Sequence, residues 1–78
     1  MSEKVTVYTK PHCVQCQMTK NQLEKLGVDY ETVDITTDPE ALRLIKDEWG
    51  FLQAPVVASG ETRFSGFQPE KLKELAAA

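Results

Sequence analysis

The chain has 78 residues, enough for one small domain spanning residues 1–78 and too few for a second core. With 41% hydrophobic and 27% charged residues, the composition is that of a globular protein and excludes a disordered one. A formal charge of −3 without a Lys/Arg cluster argues against nucleic acid as a partner, and apolar runs of only a few residues exclude a helical membrane span.

Met1-Ser2-Glu3-Lys4 lacks the apolar stretch of a signal peptide and runs directly into a strand pattern, which points to the cytoplasm. Val5-Thr6-Val7-Tyr8-Thr9 is β-branched and aromatic, and predicts a short buried strand. Lys10-Pro11-His12 breaks it, and from Cys13 to Leu26 neither Pro nor Gly interrupts a helix. Cys16, Thr19, Leu23 and Leu26 share one face of that helix, so Cys16 leans toward the core while Cys13 sits at the exposed tip. Gly27 is the expected stop.

Val28 to Ile35 predicts a second strand with one wet side. Asp38-Pro39 supplies a cap and a first-turn proline for a helix whose apolar face is Leu42, Ile45 and Trp49, ending at Gly50. Ala54-Pro55-Val56-Val57-Ala58 and Glu61-Thr62-Arg63-Phe64 flank Ser59-Gly60, a two-residue hairpin turn. Pro69 opens a last short helix carrying Leu72 and Leu75. The order β-α-β-α-β-β-α predicts an α/β fold: a parallel βαβ unit with a right-handed crossover, then an antiparallel hairpin, making a mixed four-stranded sheet flanked by three helices. The only two cysteines, Cys13 and Cys16, then lie just past the carboxyl end of the first strand, where open α/β sheets place their sites.

Cys13-Val14-Gln15-Cys16 is the feature that carries chemistry. The thiolate is the nucleophile of disulfide exchange, and a thiol at a helix N-terminus faces unpaired N–H groups and the positive end of the dipole. In such places cysteine pKa values fall from about 8.5 to about 3.5–7.5. Cys13 reads as the nucleophile and Cys16 as the resolving thiol that attacks the mixed disulfide. In a compartment that keeps thiols reduced, such a pair is more often catalytic or metal-binding than structural. A structural disulfide is the plain alternative, but so small a ring stabilises by only about 2 kcal/mol. A metal site is another; Cys13, Cys16 and His12 fall short of the four ligands a structural zinc site needs unless two chains share it. Lys10 lends positive potential to the thiolate or steers a partner's acidic surface, or else is a solvated strand end, and His12 either tunes the site or is an exposed loop residue. Phe64, Gly66 and Phe67 read either as an apolar docking lip or, for the two rings, as core; Trp49 reads as core.

A C-x-x-C beside a βαβ pattern is a thioredoxin-like redox motif. Together with Tyr8-Thr9-Lys10-Pro11, Gln53-Ala54-Pro55-Val56 and Ser65-Gly66-Phe67, it resembles the NrdH-redoxin family, small glutaredoxin-like proteins of the thioredoxin superfamily that behave like thioredoxins. The resemblance runs from about Val5 to Leu75. It implies a thioredoxin/glutaredoxin-like fold and a dithiol with no bound cofactor, recharged by thioredoxin reductase from NADPH and donating electrons to a class Ib ribonucleotide reductase. It also implies a cis Pro55 facing the dithiol, with Ala54 offering backbone groups to a protein substrate; without the resemblance, Pro55 is simply a proline that begins an edge strand. The family's Trp-Ser-Gly-Phe-Arg-Pro is here Phe64-Ser65-Gly66-Phe67-Gln68-Pro69, which lacks an indole donor and a positive charge.

The competing functions are a glutathione-dependent glutaredoxin, a metal or iron–sulfur module, and a structural scaffold. Glutaredoxins usually offer an acidic pair after the glycine turn to hold the tripeptide's amino end, and Ser65-Gly66-Phe67-Gln68 has no carboxylate. Nothing in the sequence demands more than a monomer, a metal, or a membrane surface.

Overall fold

The computed structural model describes residues 4–77, so the reading of Met1 to Glu3 lies outside the described residues. Strand β1 (Val5–Thr9) is the spine: it pairs in parallel with β2 (Tyr30–Asp34) on one side and antiparallel with β3 (Val56–Ser59) on the other. Strand β4 (Thr62–Ser65) closes the hairpin on β3, giving the order β2-β1-β3-β4. This is the expected four-stranded mixed sheet, with helices α1 (Val14–Lys25), α2 (Pro39–Arg43) and α3 (Pro69–Ala77).

Strand alternation decides what is buried. Val5 and Val7 on β1, Val57 on β3 and Phe64 on β4 project to one face, where they meet Leu23 of α1 and Leu72 of α3 in the core. Leu26, Val28, Tyr30, Phe67 and Leu75 pack around that cluster. Helix α1 ends where Gly27 takes a φ of 74°, a left-handed conformation that side chains resist. The Gly27 N–H then donates to Glu24 O at 3.1 Å and the Val28 N–H to Leu23 O at 2.9 Å, the paired bonds of a Schellman cap. Val28 is therefore spent on capping, and β2 begins two residues later than the apolar pattern suggested.

The second helix departs most from expectation. Asp38 caps it, its Oδ1 accepting the Ala41 N–H at 3.1 Å, and Pro39 takes the first turn as predicted. After Arg43 the backbone widens into a π-helical turn, Leu44–Glu48, with the Trp49 N–H donating to Leu44 O five residues back. A widened turn favours a spacing of four. Ala41, Ile45 and Trp49 thus face the sheet, whereas Leu42, expected inside, is 41% exposed. The hairpin turn also moves by one residue: Ser59 pairs with Thr62, leaving Gly60-Glu61 as the loop. Among the described residues, no helix is long and apolar enough to cross a membrane.

Candidate active site

Cys13 is the N-cap of α1, with extended φ and ψ of −108° and 106°. Its Sγ accepts the Cys16 N–H at 3.1 Å, taking the place that a Ser or Asp oxygen usually fills at a cap. No acidic residue lies in the first turn of α1, so no nearby carboxylate opposes negative charge on that sulfur. The two cysteines are joined as a disulfide across a Cα–Cα distance of 5.2 Å. Their settings differ: Cys13 is half-exposed at the tip, while Cys16 is 1% exposed against the core.

His12, just before the cap, is exposed and has a φ of 58°, the only non-glycine positive φ among the described residues. An open cleft of about 540 Å³ lies beside the pair, lined by Thr9, Lys10, His12, Cys13, Cys16 and Lys20 among others. Lys10 therefore borders the reactive sulfurs from the end of β1. No group of three or more His, Cys, Asp or Glu among the described residues is placed to hold a metal ion.

The expected substrate-facing residues gather at the same end of the sheet. Because Tyr8 pairs with Val56, the end of β1 and Pro55 lie side by side across the strand pair. The Ala54–Pro55 bond is cis, with Pro55 buried and Ala54 half-buried. Pro55 O accepts the Gly66 N–H at 2.8 Å, joining the proline to the turn after β4. Gly66 holds a φ of 80°, and a Cβ built there would sit 3.6 Å from Gln15 Oε1 and 3.8 Å from Gln53 Nε2.

Three glutamines bind this turn. Gln15, between the cysteines, accepts the Phe67 N–H at 3.1 Å, Gln53 Nε2 reaches Ser65 Oγ at 3.4 Å, and Gln68 Nε2 donates to Ser65 O at 2.7 Å. Gln68 thus restores a hydrogen bond to the turn although it brings no charge. Gln15 was missed by sequence reasoning: its partner lies 52 positions away, and only its place inside C-x-x-C singled it out.

Phe64 is not at a docking lip. It pairs with Val57 on the inward face of the hairpin and is 3% exposed, so its ring belongs to the core. Phe67 is half-buried against the same core. Trp49 is also half-buried, edge-on to Tyr8 with ring centroids 5.6 Å apart, and the Arg63 guanidinium lies 4.5 Å over its ring. Burial beside Trp49, and secondly the charge of Asp38, push the Tyr8 phenol up, against a smaller opposing effect of Arg63.

Comparison with known proteins gives a consistent answer. The glutaredoxin family model matches residues 5–64. The glutaredoxin-like protein NrdH of Escherichia coli K12 is 39% identical over 72 residues, 92% of this chain and 88% of that protein. NrdH of Lactococcus lactis subsp. lactis is also 39% identical, over 92% of this chain and 99% of its own. The solved structure of NrdH-redoxin from Escherichia coli, a glutaredoxin-like protein with a thioredoxin-like activity profile, superposes with a TM-score of 0.89 at 39% identity, covering 92% of this chain and 93% of that one.

Proposed function

This chain belongs to the glutaredoxin family and is an NrdH-like thiol–disulfide oxidoreductase, and from that premise we propose a cytoplasmic protein-level electron carrier. Its reductant is thioredoxin reductase drawing on NADPH, and its target is a class Ib ribonucleotide reductase. The observation that carries this reading is the asymmetry of the pair: a half-exposed sulfur capping a helix, and a partner sulfur buried one turn behind it.

The Cys13 thiolate attacks one sulfur of the target disulfide, forming a mixed disulfide and expelling the other target sulfur as a thiolate. Cys16, its proton released, then attacks Cys13 Sγ. The Cys13–Cys16 bond forms as the bond between Cys13 and the target breaks. Two electrons have passed to the target, and the protons given up by the two cysteines end, through solvent, on the target's two thiols. The reductase runs the same exchange in reverse.

Ala54 offers its backbone to the target chain beside Pro55, a pairing that orients the disulfide and ignores side-chain identity. Gly66 leaves the turn free of a side chain where the target approaches, and Phe67 gives it an apolar margin. Lys10 attracts acidic surface on the partner. The route through thioredoxin reductase is favoured over glutathione by the turn itself, which carries Gln68 where a carboxylate would serve the tripeptide. Turnover of the oxidised protein with NADPH and thioredoxin reductase should exceed turnover with glutathione and its reductase at equal concentrations. Faster turnover with glutathione overturns this assignment.

A further inference from the structure

Thr19 lies on α1 three residues after Cys16 and is 0% exposed. Its Oγ1 is the one buried side-chain oxygen or nitrogen among the described residues with no hydrogen-bond partner. Buried hydroxyls are rarely left so, because the lost hydration is returned by nothing. A helical threonine has a ready escape in the carbonyl four residues back, and here that bond is not made.

On the same buried face of α1, one turn toward its N-terminus, stands Cys16 with its sulfur. Helical side chains lean toward the N-terminus, so Thr19 projects over the turn that holds Cys16, on the same buried face. Residues at this spacing have Cβ atoms about 5–6 Å apart, a gap that the bonds to Sγ and Oγ1 can close to hydrogen-bonding distance. In the disulfide, the Cys16 sulfur is shared with Cys13 and is a weak acceptor. Once the bond opens, it carries a thiol or a thiolate, and a charged sulfur accepts strongly. Among the described residues the other buried polar side chain, Ser59, sits opposite Val5 at the far end of the sheet.

Taking the redox role above as given, we propose that the Thr19 hydroxyl is a redox-selective hydrogen-bond donor, orphaned in the disulfide form and bonded to the Cys16 sulfur in the dithiol and mixed-disulfide forms. The hydroxyl keeps its proton; it holds the resolving sulfur in place and favours the reduced state.

The test is the equilibrium of the wild type, Thr19→Val and Thr19→Ser with a dithiothreitol redox buffer, read by thiol alkylation and mass. Thr19→Val should shift the equilibrium about tenfold toward the disulfide, about 30 mV more negative. Thr19→Ser, which keeps the hydroxyl, should stay within about twofold of wild type. Thr19→Val should also raise the melting temperature of the oxidised protein and lower that of the reduced one. Should Thr19→Val not fold, Thr19→Ala carries the same expected shift. A variant without the hydroxyl that matches the wild-type potential, or that moves both melting temperatures equally, overturns the proposal. A wild-type pair that never interconverts overturns the functional reading instead.

Discussion

Under α1 and α3, Val5, Val7, Leu23, Val57, Phe64 and Leu72 are all within 3% of full burial. Across the sheet, α2 and its π-helical turn bury Ala41 and Ile45 but leave Leu42 exposed and Trp49 half in water, with Arg63 laid over its ring. The redox pair belongs to the tight side: α1 carries Cys13 at its tip, and nearly three turns along, Leu23 anchors the same helix in the core. The position of a surface sulfur is thereby set by packing well below the surface. The looser side contributes no cysteine and carries the irregular π-helical backbone of Leu44–Glu48.

The largest effects should therefore come from the tip of α1. Cys13→Ser should reduce exchange activity to background, whereas Cys16→Ser should accumulate a mixed disulfide with the target, visible by mass as one protein linked to the other. A Cys16→Ser protein that turns over normally would break the assignment of roles.

The contrast between the faces is tested next by two leucines. Leu23→Ala should cost about 2–5 kcal/mol in urea unfolding, because it opens a cavity in the core. Leu42→Ala should change stability by less than about 0.5 kcal/mol. Equal losses would mean that the second face is packed as tightly as the first.

The smallest effect shows its pH dependence only in alkali. At the margin of the tight face, Tyr30 Oη donates to Glu24 Oε2 at 2.6 Å. Burial, then that hydrogen bond, then the Glu24 charge push its phenol up to about 12 from an ordinary 10.0. Because the fold favours the protonated phenol, this contribution is whole below pH 10 and is lost as pH rises toward 12. Wild-type stability should fall more steeply than that of Tyr30→Phe between those values, and absorbance titration should show one tyrosine ionising near 12. Parallel curves would remove Tyr30 from the account.

Much of this arrangement was legible in the residues, because it is local. β-branched and aromatic runs marked the strands, apolar residues three to four apart marked the helices, and Gly27, Asp38 and Pro39 marked their ends. The cysteine pair at a strand-to-helix junction placed the redox centre. What was hidden depended on partners distant in sequence or on a change of helical pitch. Leu42 was misplaced because its spacing to Ile45 assumed a uniform turn, which the π-helical widening abolishes. Phe64 admitted two readings until the hairpin register put it opposite Val57. Gln15 looked like a spacer, and only the folded chain brings Phe67 to it. Thr19 fitted a core face by spacing alone, and its unanswered hydroxyl is visible only once its surroundings are known.

His12 holds a backbone torsion of 58° between the strand and the reactive sulfur. An L-residue in that region gives up roughly 1–2 kcal/mol that glycine would not. A glycine would also sample mirror-image conformations, and the direction in which the next residue enters the helix would blur. One stiff joint thus sets the direction in which the chain enters α1, at a small sacrifice in folding energy.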